Sequence, residues 1–422
     1  MRRVAMALAL AASGCFASLG TGEPPPEGDA AALMADGLAP RCDPQPSPPC
    51  FELAVRASIA PPPRSFLGIQ GLTVTASGPT VFASSVESGG GSPQHTWTVF
   101  PFDRAARLGS TLDFFDESEA GRGYAPGGDI VTVDGRALVV FPRFFGDPLP
   151  GVGGWESVAA FPDEGATLLG PFHRVVGPED DFLAPPIVRL AGDLALARTE
   201  RGIEVRSLSR DAEGPTLAVD QREGFFEAAP LTADRALVVW SDRGTQAAVV
   251  SLEGVSARAQ VFEDDGASGA PLAMLVTGED LWVGRFQREE DALDQGRIRV
   301  ARLDAGLARI GLDRWVNGWG GLRPSGIALV AFEGEPWLTW NALDVRRDDA
   351  AAVFFAQPLG GAPCGVVVGA PTFVPLPPDF GSEDLSFVSS RVAGDGSSLW
   401  VVATPGGRVP VPVLHRLDRC GS

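Results

Sequence analysis

From residue 51 onward the apolar positions almost never recur at helical spacing. Short runs rich in Val, Leu, Ala, Phe and Trp alternate with clusters of Gly, Pro and Asp, a pattern of many short β-strands joined by turns. The runs are self-similar at intervals of roughly fifty residues. Leu72-Thr73-Val74-Thr75-Ala76-Ser77-Gly78-Pro79-Thr80-Val81-Phe82-Ala83 and Ile130-Val131-Thr132-Val133-Asp134-Gly135-Arg136-Ala137-Leu138-Val139-Val140 each read as strand, tight turn, strand. The unit returns at 188–198 around Asp193, at 231–240 around Asp234 and at 274–286 around Gly278-Glu279-Asp280. It returns again at 327–340 around Glu333-Gly334 and at 388–403 around Asp395-Gly396, giving seven copies.

Each copy is followed by a third apolar run and most by a fourth. In the first copy these are 95–102 and 106–108. In the fifth they are 297–303 and 308–312, with Asp304-Ala305-Gly306 between them. Four antiparallel strands per repeat resemble a β-propeller blade, and the resemblance implies an all-β ring of seven four-stranded blades. It is architectural and spans Cys50 to Cys420. The Gly-His and Trp-Asp signature of WD40 repeats is absent, and Ser241-Asp242-Arg243-Gly244-Thr245 only echoes the aspartate box of sialidases. Two consecutive β-sandwich domains are the alternative. The seventh copy has no fourth strand of its own, whereas 51–57 is an orphan strand at the other end, so the resemblance implies closure of the last blade by the N-terminal strand.

Closure would set Cys50 beside Cys420, and a disulfide there would clasp the ring, leaving Cys42 and Cys364 to pair. The rival connectivity is Cys42–Cys50 with Cys364–Cys420. The absence of a Cys-x-x-Cys argues against zinc or a redox dithiol.

The first fifty residues are of a different kind. Arg2 and Arg3 precede an apolar run, 4–12, too short to span a bilayer. Ala12-Ser13-Gly14-Cys15 then resembles the lipobox of bacterial lipoproteins, which implies a signal peptide over 1–14 and lipidation of Cys15. Phe16 rather than Asp after the cysteine implies export beyond the inner membrane, to the outer membrane or cell surface. Residues 15–49, with Pro24-Pro25-Pro26 and Pro44-Gln45-Pro46-Ser47-Pro48-Pro49, read as a stiff tether to a domain over 50–422.

Composition then removes chemistries. With 34 Lys+Arg against 53 Asp+Glu the net charge is −19, which repels nucleic acid and anionic lipid. Every one of those basic residues is arginine, so Schiff-base and P-loop lysine chemistry is unavailable. His95, His173 and His415 are too scattered for a multi-histidine metal site. No cofactor is expected, calcium being the weak exception.

Strand parity places the first-to-second and third-to-fourth turns on one face and the long loops on the other, where propellers usually display binding residues. That loop face carries Glu179-Asp180-Asp181 and Glu263-Asp264-Asp265, along with Glu289-Glu290-Asp291 and Asp294. None has the spacing of a calcium loop, and solvated loop charge is the plainer reading. Trp240, Trp282, Trp337 and Trp400 recur in second strands, which points to packing between blades. Trp315 and Trp319 fall in an inter-blade connection and are candidate exposed binding residues. No Gly-x-Ser-x-Gly is present, and Tyr124, the one tyrosine, lacks a supporting motif. The reading is an exported, lipid-anchored, non-enzymatic module that binds protein or glycan. The alternative is a propeller enzyme such as a carboxylate-based glycoside hydrolase.

Overall fold

The structure, a computed structural model, describes residues 51–420 except 60–64, 88–93, 116–127, 147–152, 163–172, 177–186, 200, 211, 220–224, 243, 264–271, 290–291, 318–321, 345–350, 363–364, 369–371, 375–389 and 404–411. The described residues form seven antiparallel sheets. Blade I is β2 (Ser65–Val74), β3 (Pro79–Glu87), β4 (Gln94–Pro101) and β5 (Leu112–Phe115). Blade II is β6 (Asp129–Val133), β7 (Arg136–Gly146), β8 (Gly153–Ala160) and β9 (His173–Val176). Blade III is β10 (Val188–Ala191), β11 (Leu194–Thr199), β12 (Gly202–Ser207) and β13 (Glu213–Leu217). Blade IV is β14 (Phe226–Thr232), β15 (Arg235–Ser241), β16 (Thr245–Ser251) and β17 (Gly254–Phe262). Blade V is β18 (Leu272–Thr277), β19 (Asp280–Glu289), β20 (Ala292–Leu303) and β21 (Arg314–Asn317). Blade VI is β22 (Leu322–Phe332), β23 (Glu335–Asp344), β24 (Ala351–Ala362) and β25 (Gly365–Val368), with the short β26 (Thr372–Val374) also on β24.

Blade VII joins the two ends of the domain. Its order is β27 (Ser390–Gly394), β28 (Ser398–Ala403), β29 (Val413–Arg419) and then β1 (Phe51–Ser58), which pairs with β29 from Phe51↔Arg419 to Ser58↔Val413. The chain is a seven-bladed β-propeller, closed as the orphan strand implied, and not a pair of sandwiches. The innermost strands β2, β6, β10, β14, β18, β22 and β27 each touch the next around the ring, and β27 touches β2.

The cores lie between blades. Trp240 packs with Leu196 and Phe226 at III/IV, and Trp282 with Leu338 and Trp340 at V/VI. Trp337 packs with Phe332 and Phe51 at VI/VII, and Trp400 with Val81 and Leu414 at VII/I. All four second-strand tryptophans are buried, as their repetition predicted. Close approach needs small residues at the seams. A Cβ on Gly394 would lie 2.0 Å from the Ala331 carbonyl oxygen of blade VI, so only glycine lets β27 pack there.

Two fourth strands differ from expectation. Residues 106–108 and 308–312 are not strands; β5 begins at Leu112 and β21 at Arg314. The reason is the same turn used twice. The Asp103 carboxylate accepts from the amides of Ala105 and Arg107, and the Asp304 carboxylate from those of Gly306 and Ala308. Ala106 and Leu307 are held at positive φ, 57° and 67°. This side-chain-capped turn takes up the residues that pattern alone assigned to the strand. Isolated bridges, Phe102↔Leu108 and Leu303↔Arg309 among them, mark what is left of it.

Candidate functional site at the channel mouth

The innermost strand of a blade has one sheet neighbour, so alternate amides on its free edge face the central channel. In β6 and β10 those include the amides of Ile130 and Leu190, because the hairpin registers Val133↔Arg136 and Ala191↔Leu194 direct the other set to β7 and β11. Asp129, the first residue of β6, satisfies both. One carboxylate oxygen accepts from the Ile130 amide at 2.9 Å, the other from the Leu190 amide of the next blade at 3.4 Å. Arg189 of β10 then reaches forward to Glu227 of β14, with Nε 3.0 Å from one carboxylate oxygen and Nη2 3.4 Å from the other. The guanidinium also lies 5.8 Å from the Phe226 ring centre. Blades II, III and IV are thus linked by three charged side chains, one from each innermost strand.

Their electrostatics are coupled. Enclosure inside the ring raises the Asp129 carboxyl from an ordinary 3.8 to about 6. Arg189 and the two amides pull it down, and Glu227 pushes it up. Burial disfavours the Arg189 cation, but Glu227 and Asp129 together outweigh that and raise its proton affinity above the ordinary value. Arg189 is a permanent cation whose charge both carboxyl groups favour.

All three lie in the first two residues of their strands, away from the first-to-second turns. Strand parity places that end of the channel on the face of the second-to-third connections. The channel wall is asymmetric. Farther toward the turns, Thr73 and Thr132 are hydrogen-bonded across blades I and II at 2.7 Å. On the innermost strands of blades V and VI the partly buried side chains turn to the seams, Met274 and Val276 to the IV/V core and Leu275 and Ile327 to the V/VI core.

The residues picked out in the sequence do not gather here. Trp315 lies in β21, the outermost strand of blade V, and not in an inter-blade connection. It pairs with Arg299, whose guanidinium sits 5.1 Å from its ring centre and also bonds Asp313. It is 36 % exposed, on the outer wall and far in the blade from the channel strand. Glu263 is exposed just past β17. Trp319, Glu179, Asp180, Asp181, Asp264, Asp265 and Tyr124 lie outside the described residues. So do Cys15, Cys42, Cys50 and Cys364, along with the signal and tether segments. Among the described residues no group of three or more His, Cys, Asp or Glu side chains could hold a metal ion, and no helix is long and apolar enough to cross a membrane.

Sequence reasoning missed Asp129, Arg189 and Glu227. One signal could have found them: each is a lone charge flanked by apolar residues at the start of a first strand, in three consecutive repeats.

No protein-family model matches the chain, and no curated protein matches it. Among solved structures it is similar to a mutant of the Aleuria aurantia lectin in complex with α-methyl-L-fucoside. The identity is 11 %, the match covers 83 % of this chain and 94 % of that one, and the TM-score is 0.35. The propeller assignment rests on strand order and ring closure, not on this likeness.

Proposed function

We propose that the protein is an exported, lipid-anchored propeller that binds a protein or glycan partner at its loop-bearing face without chemically transforming it. The observation that carries this is the channel mouth. Arg189 occupies the position between two carboxylates, and Asp129 spends both oxygens on backbone amides. A glycosidase needs its two carboxyl groups facing across an open gap of about 5–9.5 Å, with a water or sugar between them. Here the guanidinium is the neighbour they share, which suits recognition by donors and acceptors already held in place.

The lipobox resemblance at Cys15 supports anchoring. The start of β1 on the same face as the first-to-second turns supports a tether that leaves the loop-bearing face pointing away from the membrane. The hydrolase reading keeps one specific support, a carboxyl raised to about 6 beside a second carboxylate.

One experiment separates the two. The full chain, produced in a bacterial host, is screened on a glycan array, in partner capture and in a panel of aryl glycosides. Binding without turnover, weakened at least tenfold by Arg189→Met, is the expected result. Turnover lost in both Asp129→Asn and Glu227→Gln would replace the binder with the hydrolase. Metabolic labelling with a radioactive fatty acid, lost on Cys15→Ala, tests the anchor.

A further inference from the structure

The two chain segments that carry Arg189 and Glu227 also carry exposed apolar side chains at the channel mouth. Ile187 stands just before β10 and Phe225 just before β14, 39 % and 48 % exposed, and among the described residues no large apolar side chain is more exposed than Phe225. Neither is a loose end. Arg198 N donates to Ile187 O at 2.8 Å and Ser241 N to Phe225 O at 3.0 Å, so each ladder continues one residue past its strand. Residues two apart on a strand share a face and lie about 7 Å apart. Ile187 therefore stands above Arg189 and Phe225 above Glu227, and the ion pair ties the two columns together.

The hairpins behind them leave this place open. In blades III and IV, β11/β12 and β15/β16 have 6 and 7 residues and close in tight turns at Thr199↔Gly202 and Ser241↔Thr245. In blades V and VI, β19/β20 and β23/β24 run to 10 and 12. At about 3.3 Å per residue the difference amounts to roughly 10–15 Å of hairpin. Phe226 packs into the III/IV core, so alternation turns Phe225 and Glu227 to the blade V side. The mouth is thus a step, low over blades III and IV, with Phe225 on its floor and blade V as its wall.

We propose that this step binds a neutral pyranose, whose C–H face lies on the Phe225 ring while neighbouring hydroxyls bond Glu227 and Arg189. The ion pair stays intact: each Glu227 oxygen that accepts from Arg189 keeps a second lone pair, and the two side chains are 33 % and 20 % exposed. A hydroxyl donates to a carboxylate and accepts from a guanidinium, so two on adjacent carbons meet the pair side by side. An anion would meet the charge of Glu227, and a cation that of Arg189. An aromatic face beside fixed donors and acceptors suits a ring that is apolar on one side and hydroxylated at its edge. The inference rests on the glycan arm of the proposed function and names its ligand class and its platform.

The test is saturation-transfer NMR on the full chain, irradiating aromatic protons, with the methyl glycosides of glucose, galactose, mannose and fucose at millimolar concentration. At least one is expected to bind, with transfer strongest to the hydrogens on one face of its ring. Phe225→Ala and Glu227→Gln should each weaken it more than tenfold. Phe225→Trp should retain it, and Val255→Ser, at another exposed apolar residue on the outer strand β17, should leave it unchanged. Melting curves show which variants are folded, and Phe225→Leu, which removes only the aromatic ring, serves should Phe225→Ala melt early. Sugar binding that survives loss of the ring in a folded variant would overturn the site while leaving a glycan-binding propeller standing. No binding of any of the four to the unaltered chain would overturn the inference outright. Capture of a protein partner that is lost in Phe225→Ala would then make the step a protein-docking surface and leave the other arm of the proposed function in place.

Discussion

Asp129 and His415 are two titratable groups whose folded-state affinities for the proton have moved toward each other from opposite sides, and their effects on stability have opposite signs. The Asp129 carboxyl is raised from 3.8 to about 6 by its enclosure, so the folded chain holds its proton more tightly than the unfolded chain does. Its contribution is favourable at acid pH and is lost as pH rises through about 6, a change worth roughly 3 kcal/mol at most. His415, fully buried in β29, is lowered from 6.5 to about 4, first by burial and then by Arg56 on the paired β1. Its contribution is present above about 6.5 and is lost as pH falls toward 4. Urea unfolding between pH 4 and 7 should show this. Asp129→Asn is expected to gain on the parent chain as pH rises from 4 to 6. Protection factors of the β1 amides, which remove the slower intrinsic exchange at acid pH, should be lower at pH 4.5 than at pH 7. A parallel pH profile for Asp129→Asn would contradict the first expectation, and pH-independent protection of β1 the second.

At the scale of the element, the hairpins were legible and the outer strands were not. First and second strands announce themselves because a two-sided apolar run must break at a turn, and Asp134, Gly135 and Gly334 take the positive φ values that such turns need. The outer strands of blades I and V are shifted because Asp103 and Asp304 hold a turn by side-chain bonds, a contact with no signature in hydrophobic pattern. Trp315 looked like a loop residue for the same reason, its strand having been placed too early. The channel trio escaped notice because the ring, not the sequence distance, brings 129, 189 and 227 together. Seam packing gives this scale its own prediction. Gly394→Ala puts a methyl against the Ala331 carbonyl and should destabilise the domain by about 1–3 kcal/mol, read as a lower urea midpoint. No change would mean that the VI/VII seam can open at no cost.

For the whole molecule the decisive element is β1. The pairing Phe51↔Arg419 brings the start of β1 to the end of β29, and we propose Cys50–Cys420 as the clasp anticipated from the sequence. In the chain-entropy picture a crosslink closing so long a loop contributes about 5 kcal/mol. Cys420→Ser should therefore melt well below the parent under oxidising conditions and level with it after reduction. Equal melting in both conditions would rule the clasp out. Removing 51–58 should cost more than any point change, since it exposes the edge of β29 and unpacks Phe51 from Phe332 and Trp337.

Blade VII also sets a timetable. A polypeptide is made from its first residue to its last, so β1 is among the earliest parts of the domain to emerge and its partner β29 is the very last. At ~5–20 residues per second it waits on the order of half a minute, an apolar strand with no neighbour. The other six blades can be complete while the ring is still open. Whatever shields β1 during that interval decides how much of the protein reaches its closed form.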